Sequence, residues 1–134
     1  MDKEYLLKLL SEFSLVIIRD NGIIFCSRDP TIRPILEAYY RLRDNLNGSI
    51  VADRVVGKAV ALILCNYRPR LVFGGIMSNG AKNILEKYGV DHDYDVLVEY
   101  IRTKDGDICP FERLVENIFS PEEAVEIIRK KLGI

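Results

Sequence analysis

Val51-Ala52-Asp53-Arg54-Val55-Val56-Gly57-Lys58-Ala59 and, further along, Gly74-Gly75-Ile76-Met77-Ser78-Asn79-Gly80-Ala81 are the stretches whose reading decides the fold. Each reads as an extended segment running into the start of an apolar helix, with a small polar side chain, Asp53 or Ser78, at the junction. Two strand–helix units in succession call for parallel strands, because a helix returns the chain to the same end of a sheet. Backbone N–H groups are unpaired at such junctions. Two of them side by side make a pocket that prefers a polar or anionic ligand.

Working outward, Asp2 to Ser11 places Tyr5, Leu6, Leu9 and Leu10 on one helical face. Phe13 to Arg19 is a β-rich run, Asp20-Asn21-Gly22 a hairpin turn, and Ile23 to Ser27 the returning strand. Asp29-Pro30 opens a helical stretch with Ile32, Ile35, Leu36, Tyr39, Leu42 and Leu46 at helical spacing. Pro34 falls in its first turn, and Asn47-Gly48 closes it. Ser49 to Ala52 then leads to Asp53 and a helix to about Asn66 that is apolar on nearly all sides, and so central. Pro69 to Ile76 is the next strand, Ser78 to Tyr88 the next helix with Gly89 as its cap, and Asp95 to Thr103 a further strand. Lys104-Asp105-Gly106-Asp107 is a polar turn. Cys109-Pro110 and Ser120-Pro121-Glu122-Glu123 each start a helix. The order predicts an α/β fold, a three-layer α/β/α sandwich around a mixed sheet, formed by 1–134 as a single domain.

Composition excludes several classes of function. Nineteen basic against 20 acidic residues give a net charge of −1, which argues against a broad nucleic-acid surface. No apolar run reaches the ~18–20 residues that span a membrane, and Met1-Asp2-Lys3-Glu4 begins no signal-peptide core. Cys26, Cys65 and Cys109, an odd number at wide spacing, fit free thiols in a reducing compartment, so a cytoplasmic location is expected.

The candidate site residues follow from the junctions. Asp53 is a natural N-cap and, on the sharper reading, also the polar wall of a pocket. Lys58, odd in so apolar a helix, either snorkels to the surface or points a charge into the site. Ser78 is an N-cap, Asn79 and Gly80 keep the entry narrow, and Gly74-Gly75 allow a ligand close to the backbone. Gly75 to Gly80 has phosphate-loop spacing, but Ala81-Lys82 follows where Gly-Lys-Ser/Thr is needed. Cys109, at a helix start ahead of Pro110, gains thiolate character from the helix dipole. No general base accompanies it, since the chain's one histidine is His92. Glu112 most simply stabilises the start of its own helix. Asp91-His92-Asp93-Tyr94-Asp95 is a solvated loop; a calcium loop would need Gly and Glu where Val96 and Arg102 stand. Neither metal nor cofactor is expected.

The order helix, hairpin, helix, strand, helix, strand resembles the cytidine deaminase-like fold. Zinc deaminases carry His/Cys-Ala-Glu at the first of these helix starts and Pro-Cys-x-x-Cys at the second. This chain has Ala52-Asp53-Arg54 and Met77-Ser78-Asn79-Gly80-Ala81 there, so a zinc-dependent deaminase is excluded on its ligands. Ala52 to Ala59, Ser78 to Ala81 and Cys109-Pro110-Phe111-Glu112 together resemble a small prokaryotic family of unknown function with that fold and no zinc site. The resemblance implies Asp53, Gly57, Lys58, Ser78, Cys109, Pro110 and Glu112 as the site.

The leading functional expectation is a metal-free pocket for a small polar metabolite, nucleoside- or nucleotide-like, at the Asp53 and Ser78 helix starts. Whether it is an enzyme stays open. In a reaction, Asp53 would act as base, Ser78 as orienting hydroxyl, Lys58 as charge stabiliser and Cys109 as nucleophile, with Gly57, Gly75, Asn79, Gly80, Pro110 and Glu112 binding ligand. A second expectation is an assembly module that forms a homo-oligomer through Tyr39, Tyr40 and Leu42. A third is a thiol-based enzyme using Cys109.

Overall fold

Asp20 and Asn21 both take positive φ, 53° and 65°, the backbone of a two-residue hairpin turn matched to strand twist. That turn joins strands β1 (Leu15–Arg19) and β2 (Gly22–Ser27), and Lys3–Glu12 ahead of them is helix α1. The chain continues through α2 (Arg33–Leu42) and a 3-10 turn (Arg43–Leu46), then β3 (Ile50–Val56) and α3 (Lys58–Leu64). Next come β4 (Leu71–Ser78), α4 (Asn79–Lys87) and β5 (His92–Val98), with α5 (Pro110–Leu114) and α6 (Pro121–Leu132) closing the order. The structure, a computed structural model, describes residues 2–134.

The sheet order is β2-β1-β3-β4-β5. β1 runs antiparallel to both β2 and β3, whereas β3, β4 and β5 are parallel, as the intervening helices require. One face is covered by α2, α3, α4 and α6 through a core that includes Leu36, Leu62, Ile63, Met77, Leu85 and Ile128. The other face is covered by α1, whose Leu6 and Leu10 pack on Val16, Ile18, Ala52 and Phe73. The mixed-sheet sandwich is therefore lopsided. Helix α3 lies at its centre, with all seven of its residues buried. Among the described residues no helix is long and apolar enough to cross a membrane.

Three boundaries differ from the sequence pattern. Asp53 does not start a helix. β3 runs through it, pairing Asp53 with Gly74, Val55 with Ile76 and Val56 with Met77 on β4, and α3 starts five residues later at Lys58. Val55 and Val56 are β-branched, and a strand end and a buried helix are equally apolar here, so periodicity does not mark the border. Asp29 does not open α2 either. Its carboxylate accepts from Thr31 N and Thr31 Oγ1 at 2.8 and 2.7 Å, forming a turn, and α2 begins at Arg33. Finally, His92–Val98 is an edge strand, so His92 to Asp95 is no free loop and the strand stops short of Thr103.

Candidate functional site

The two strand–helix junctions lie on neighbouring parallel strands and are finished in different ways. At α4 the cap is local: Ser78, fully buried, accepts at its Oγ from Ala81 N at 3.1 Å. At α3 the capping position is Gly57, which has no side chain to offer. Glu112 takes that role from 54 residues away, its Oε1 accepting from Lys58 N at 2.8 Å. The same oxygen lies 3.4 Å from Ser78 Oγ, which donates to it. Glu112 was expected to stabilise its own helix; instead its carboxylate is the anion at the start of α3 and touches the cap of α4. Gly57 makes this approach feasible, because a Cβ there would collide with Glu112 Oε1. Burial raises the Glu112 pKa, opposed by the bonds from Lys58 N and Ser78 and by the Lys58 charge.

Beside this seam lies a cavity of about 400 Å³. Asp53, Gly57, Cys109 and Glu112 line it together with apolar walls that include Ile32, Val60, Ile101 and Phe111. Burial pushes the Asp53 carboxyl up to about 7, although N–H groups of Val55 and Arg54 and the Arg54 charge pull the other way. Asp53 Oδ1 accepts from Val55 N at 3.2 Å. The Arg54 guanidinium is tied to the end of α1, donating to Leu10 O and Ser11 O at 2.7 and 3.4 Å, so its hydrogen bonds lie away from Asp53. Cys109 caps α5 and its backbone N bonds Ile101 O at 2.9 Å, which holds the thiol at the cavity wall. By contrast, Cys65 is pushed up to about 12 by burial, and Cys26 is exposed on edge strand β2.

On the other side of Glu112 a second cavity, about 290 Å³, is lined by Lys58, Gly80, Asn83, Arg113 and Phe119 among others. Lys58 does not snorkel: it is 9% exposed, donates from Nζ to Glu116 O at 2.9 Å, and lies 4.0 Å from the centroid of the Phe119 ring. Desolvation lowers its pKa, opposed by the charges of Glu112 and Glu116.

The anticipated site residues therefore divide. Asp53, Gly57 and Cys109 meet at the larger cavity and Lys58 and Gly80 at the smaller, with Glu112 on both and Ser78 at the seam. Gly75 lies on β4 facing Arg54, where a Cβ would stand 2.9 Å from Arg54 O. Asn79 and Pro110 are exposed and line neither cavity. Sequence reasoning missed Ser14, Thr31, Ile101 and Phe111 in the larger cavity and Asn83, Arg113 and Phe119 in the smaller. Ser14 carried a faint signal as a hydroxyl beside a strand; its single O–H lies between Ser27 O and Asp29 O, 2.9 and 2.6 Å from Oγ, fixing one wall. The others carried none. Among the described residues no three His, Cys, Asp or Glu side chains gather to hold a metal ion.

Comparison with known proteins gives a family and a structural relative. A family profile described as "Domain of unknown function (DUF1893)" matches residues 6–132. The crystal structure of a DUF1893 family protein (TM1506) from Thermotoga maritima at 2.70 Å resolution superposes with a TM-score of 0.87 at 34% sequence identity. The match covers 98% of this chain and 92% of that one. No curated protein matches the sequence.

Proposed function

The chain belongs to the DUF1893 family of unknown function, and for this member we propose a metal-free binding site in the larger cavity for a small, uncharged or cationic molecule with hydrogen-bond donors, of nucleobase or nucleoside size. One observation carries this reading. Asp53 on β3 and, more than 50 residues further along, Cys109 and Glu112 at the start of α5 converge on one mostly apolar cavity of about 400 Å³. That volume is in the range of small-molecule sites, and it lies at the carboxyl end of β3, where open α/β sheets bind ligands. The polar groups lining it include two carboxyls, which call for a donor on the ligand. A phosphate finds the start of α3 already taken by Glu112 and meets like charge, so a nucleoside is favoured over a nucleotide.

Read as deaminase-like, the two helix starts that carry metal ligands in zinc deaminases are bridged here by the Glu112 carboxylate. Chemistry in this cavity falls to Asp53, whose pKa of about 7 suits a general base near neutral pH. A thermal-shift panel of nucleobases, nucleosides and small amines, with nucleotides alongside, tests the reading. A ligand at 100 times its Kd stabilises the fold by about 2.7 kcal/mol, a shift of a few degrees. The shift is expected in wild type and lost in Asp53→Asn. Equal shifts in both proteins, or none at all, overturn it.

A specific feature favours self-association as a second reading. Val55, Ile76 and Val96 are register partners across β3, β4 and β5, exposed at 40, 39 and 47%, and form an apolar row on the sheet. The surface anticipated earlier is weaker, because Tyr39 packs its ring on Tyr40 and Tyr67 and Leu42 packs against the core. Light scattering at high concentration decides: a dimer that Ile76→Lys dissociates supports association through this row, and a monomer rejects it.

A further inference from the structure

We infer that the smaller cavity is a separate anion subsite, taking the carboxylate or phosphate group of a small molecule on the Lys58 ammonium at its floor and the Arg113 and Asn83 side chains at its mouth.

The inference starts from the cost of Lys58. Lys58 as a residue is only 9% exposed, and a lysine drawn this far into the fold is ordinarily accompanied by a paired anion. Among the described residues Lys58 makes no ion pair within 4.0 Å. Its Nζ holds a single hydrogen bond, to Glu116 O, and the face of Phe119, although an ammonium has three donors. The charges of Glu112 and Glu116 act on the ammonium from a distance, and Glu112 Oε1 itself accepts from Lys58 N and Ser78 Oγ. Glu116 contributes its carbonyl to the ammonium, while its side chain is exposed.

Around the cavity two uncommitted donors, Arg113 and Asn83, stand beside the carboxylates of Glu112 and Glu116. Among the described residues no hydrogen bond or ion pair engages the Arg113 guanidinium or the Asn83 amide. Arg113 presents a fork suited to carboxylate or phosphate. Gly80, in the first turn of α4, lets the floor stay open, since a Cβ there would stand 3.4 Å from Lys58 Cβ. The two cavities differ in their charged linings: Asp53, Glu112 and Arg54 in the larger, and Lys58 and Arg113 with Glu112 and Glu116 in the smaller, Glu112 standing on both.

The test is a 15N-NMR titration of the full chain with sodium phosphate and, separately, sodium acetate, against sodium chloride at matched ionic strength. Saturable shifts at the amides of Lys58, Gly80, Asn83 and Arg113 are expected. Loss of a charged partner should weaken the apparent Kd by about tenfold in Arg113→Ala. Lys58→Met should abolish saturation; Arg113 and Asn83 are exposed, so Arg113→Ala and Asn83→Ala keep the test valid if the lysine variant does not fold. Tighter phosphate binding assigns the subsite to a phosphate group, and tighter acetate binding to a carboxylate. Shifts no larger than those with chloride, or an unchanged Kd in Arg113→Ala, overturn the proposal. Asp53→Asn should leave this titration unaltered, so the subsite stands or falls apart from the donor-binding cavity.

Discussion

The start of α3 and the start of α4 occupy equivalent places on adjacent parallel strands, yet one is finished from outside and the other from within. Ser78 caps α4 with its own hydroxyl, three residues from the N–H it satisfies. At α3, Gly57 leaves the same need to Glu112, which arrives on α5 after two intervening strands and a helix. At the self-capped start Ser78 itself is fully buried and lines neither cavity, although Gly80 and Asn83 beyond it line the smaller one. At the other start, a loop and a short helix are held over the sheet by a carboxylate, and the two cavities open on either side of it. Both cavities are lined by the remote cap Glu112, and neither by the local cap Ser78.

Substitutions at the two glycines and the two caps would break this contrast if it is wrong. The largest effect is expected at Gly57→Ala, where the new Cβ meets the Glu112 carboxylate. Overpacking together with a displaced cap should lower stability by about 3 kcal/mol, read as an earlier urea midpoint. Glu112→Ala strands the Lys58 N–H and should cost about 2 kcal/mol, while Glu112→Gln, which keeps an acceptor, should recover most of that. If Glu112→Ala were neutral, the remote cap would be incidental.

Asp53 sharpens the contrast through pH. Its carboxyl titrates near 3.8 in the unfolded chain and near 7 in the fold, so between those values the folded state holds a proton that the unfolded state has released. Stability attributable to this group should be full below about pH 4, fall steadily as pH rises to about 7, and stay level above it. Asp53→Asn should flatten that slope in urea unfolding measured from pH 4 to 8; an unchanged slope means that the carboxyl is not held in its neutral form. At the self-capped start the effects are smaller. Ser78→Ala should cost about 1 kcal/mol in the same unfolding assay. Gly80→Ala, which brings only ordinary contact with Lys58, should change stability by less than about 0.5 kcal/mol, and a loss as large as that of Gly57→Ala would erase the distinction.

The same contrast explains what was legible. The hairpin at Asp20-Asn21, the Ser78 and Ser120 caps and Gly89 at positive φ are short-range features, each set by residues within a few positions. The Asp53 border was misplaced because Val55, Val56, Ala59 and Val60 fit a strand end and a buried helix equally well. Pairing of Val55 with Ile76 and of Val56 with Met77 settles the choice, and pairing is a tertiary event.

In the site, Asp53 and Cys109 stood out as a polar and a reactive residue at expected helix starts, Gly57 and Glu112 only through the family resemblance, and the four share a cavity. Their partners Ile101, Phe111, Asn83 and Arg113 lie on segments whose local pattern is ordinary. The sequence by itself determined the α/β class, the parallel arrangement of the later strands and the local caps, since these rest on periodicity and hydrogen bonds spanning a few residues. Only the tertiary structure decided that Glu112 serves α3 rather than its own helix, that Lys58 is buried, and that two cavities flank them. Those outcomes depend on contacts between residues more than 50 positions apart, whose burial and electrostatics exist only once the chain has closed on itself.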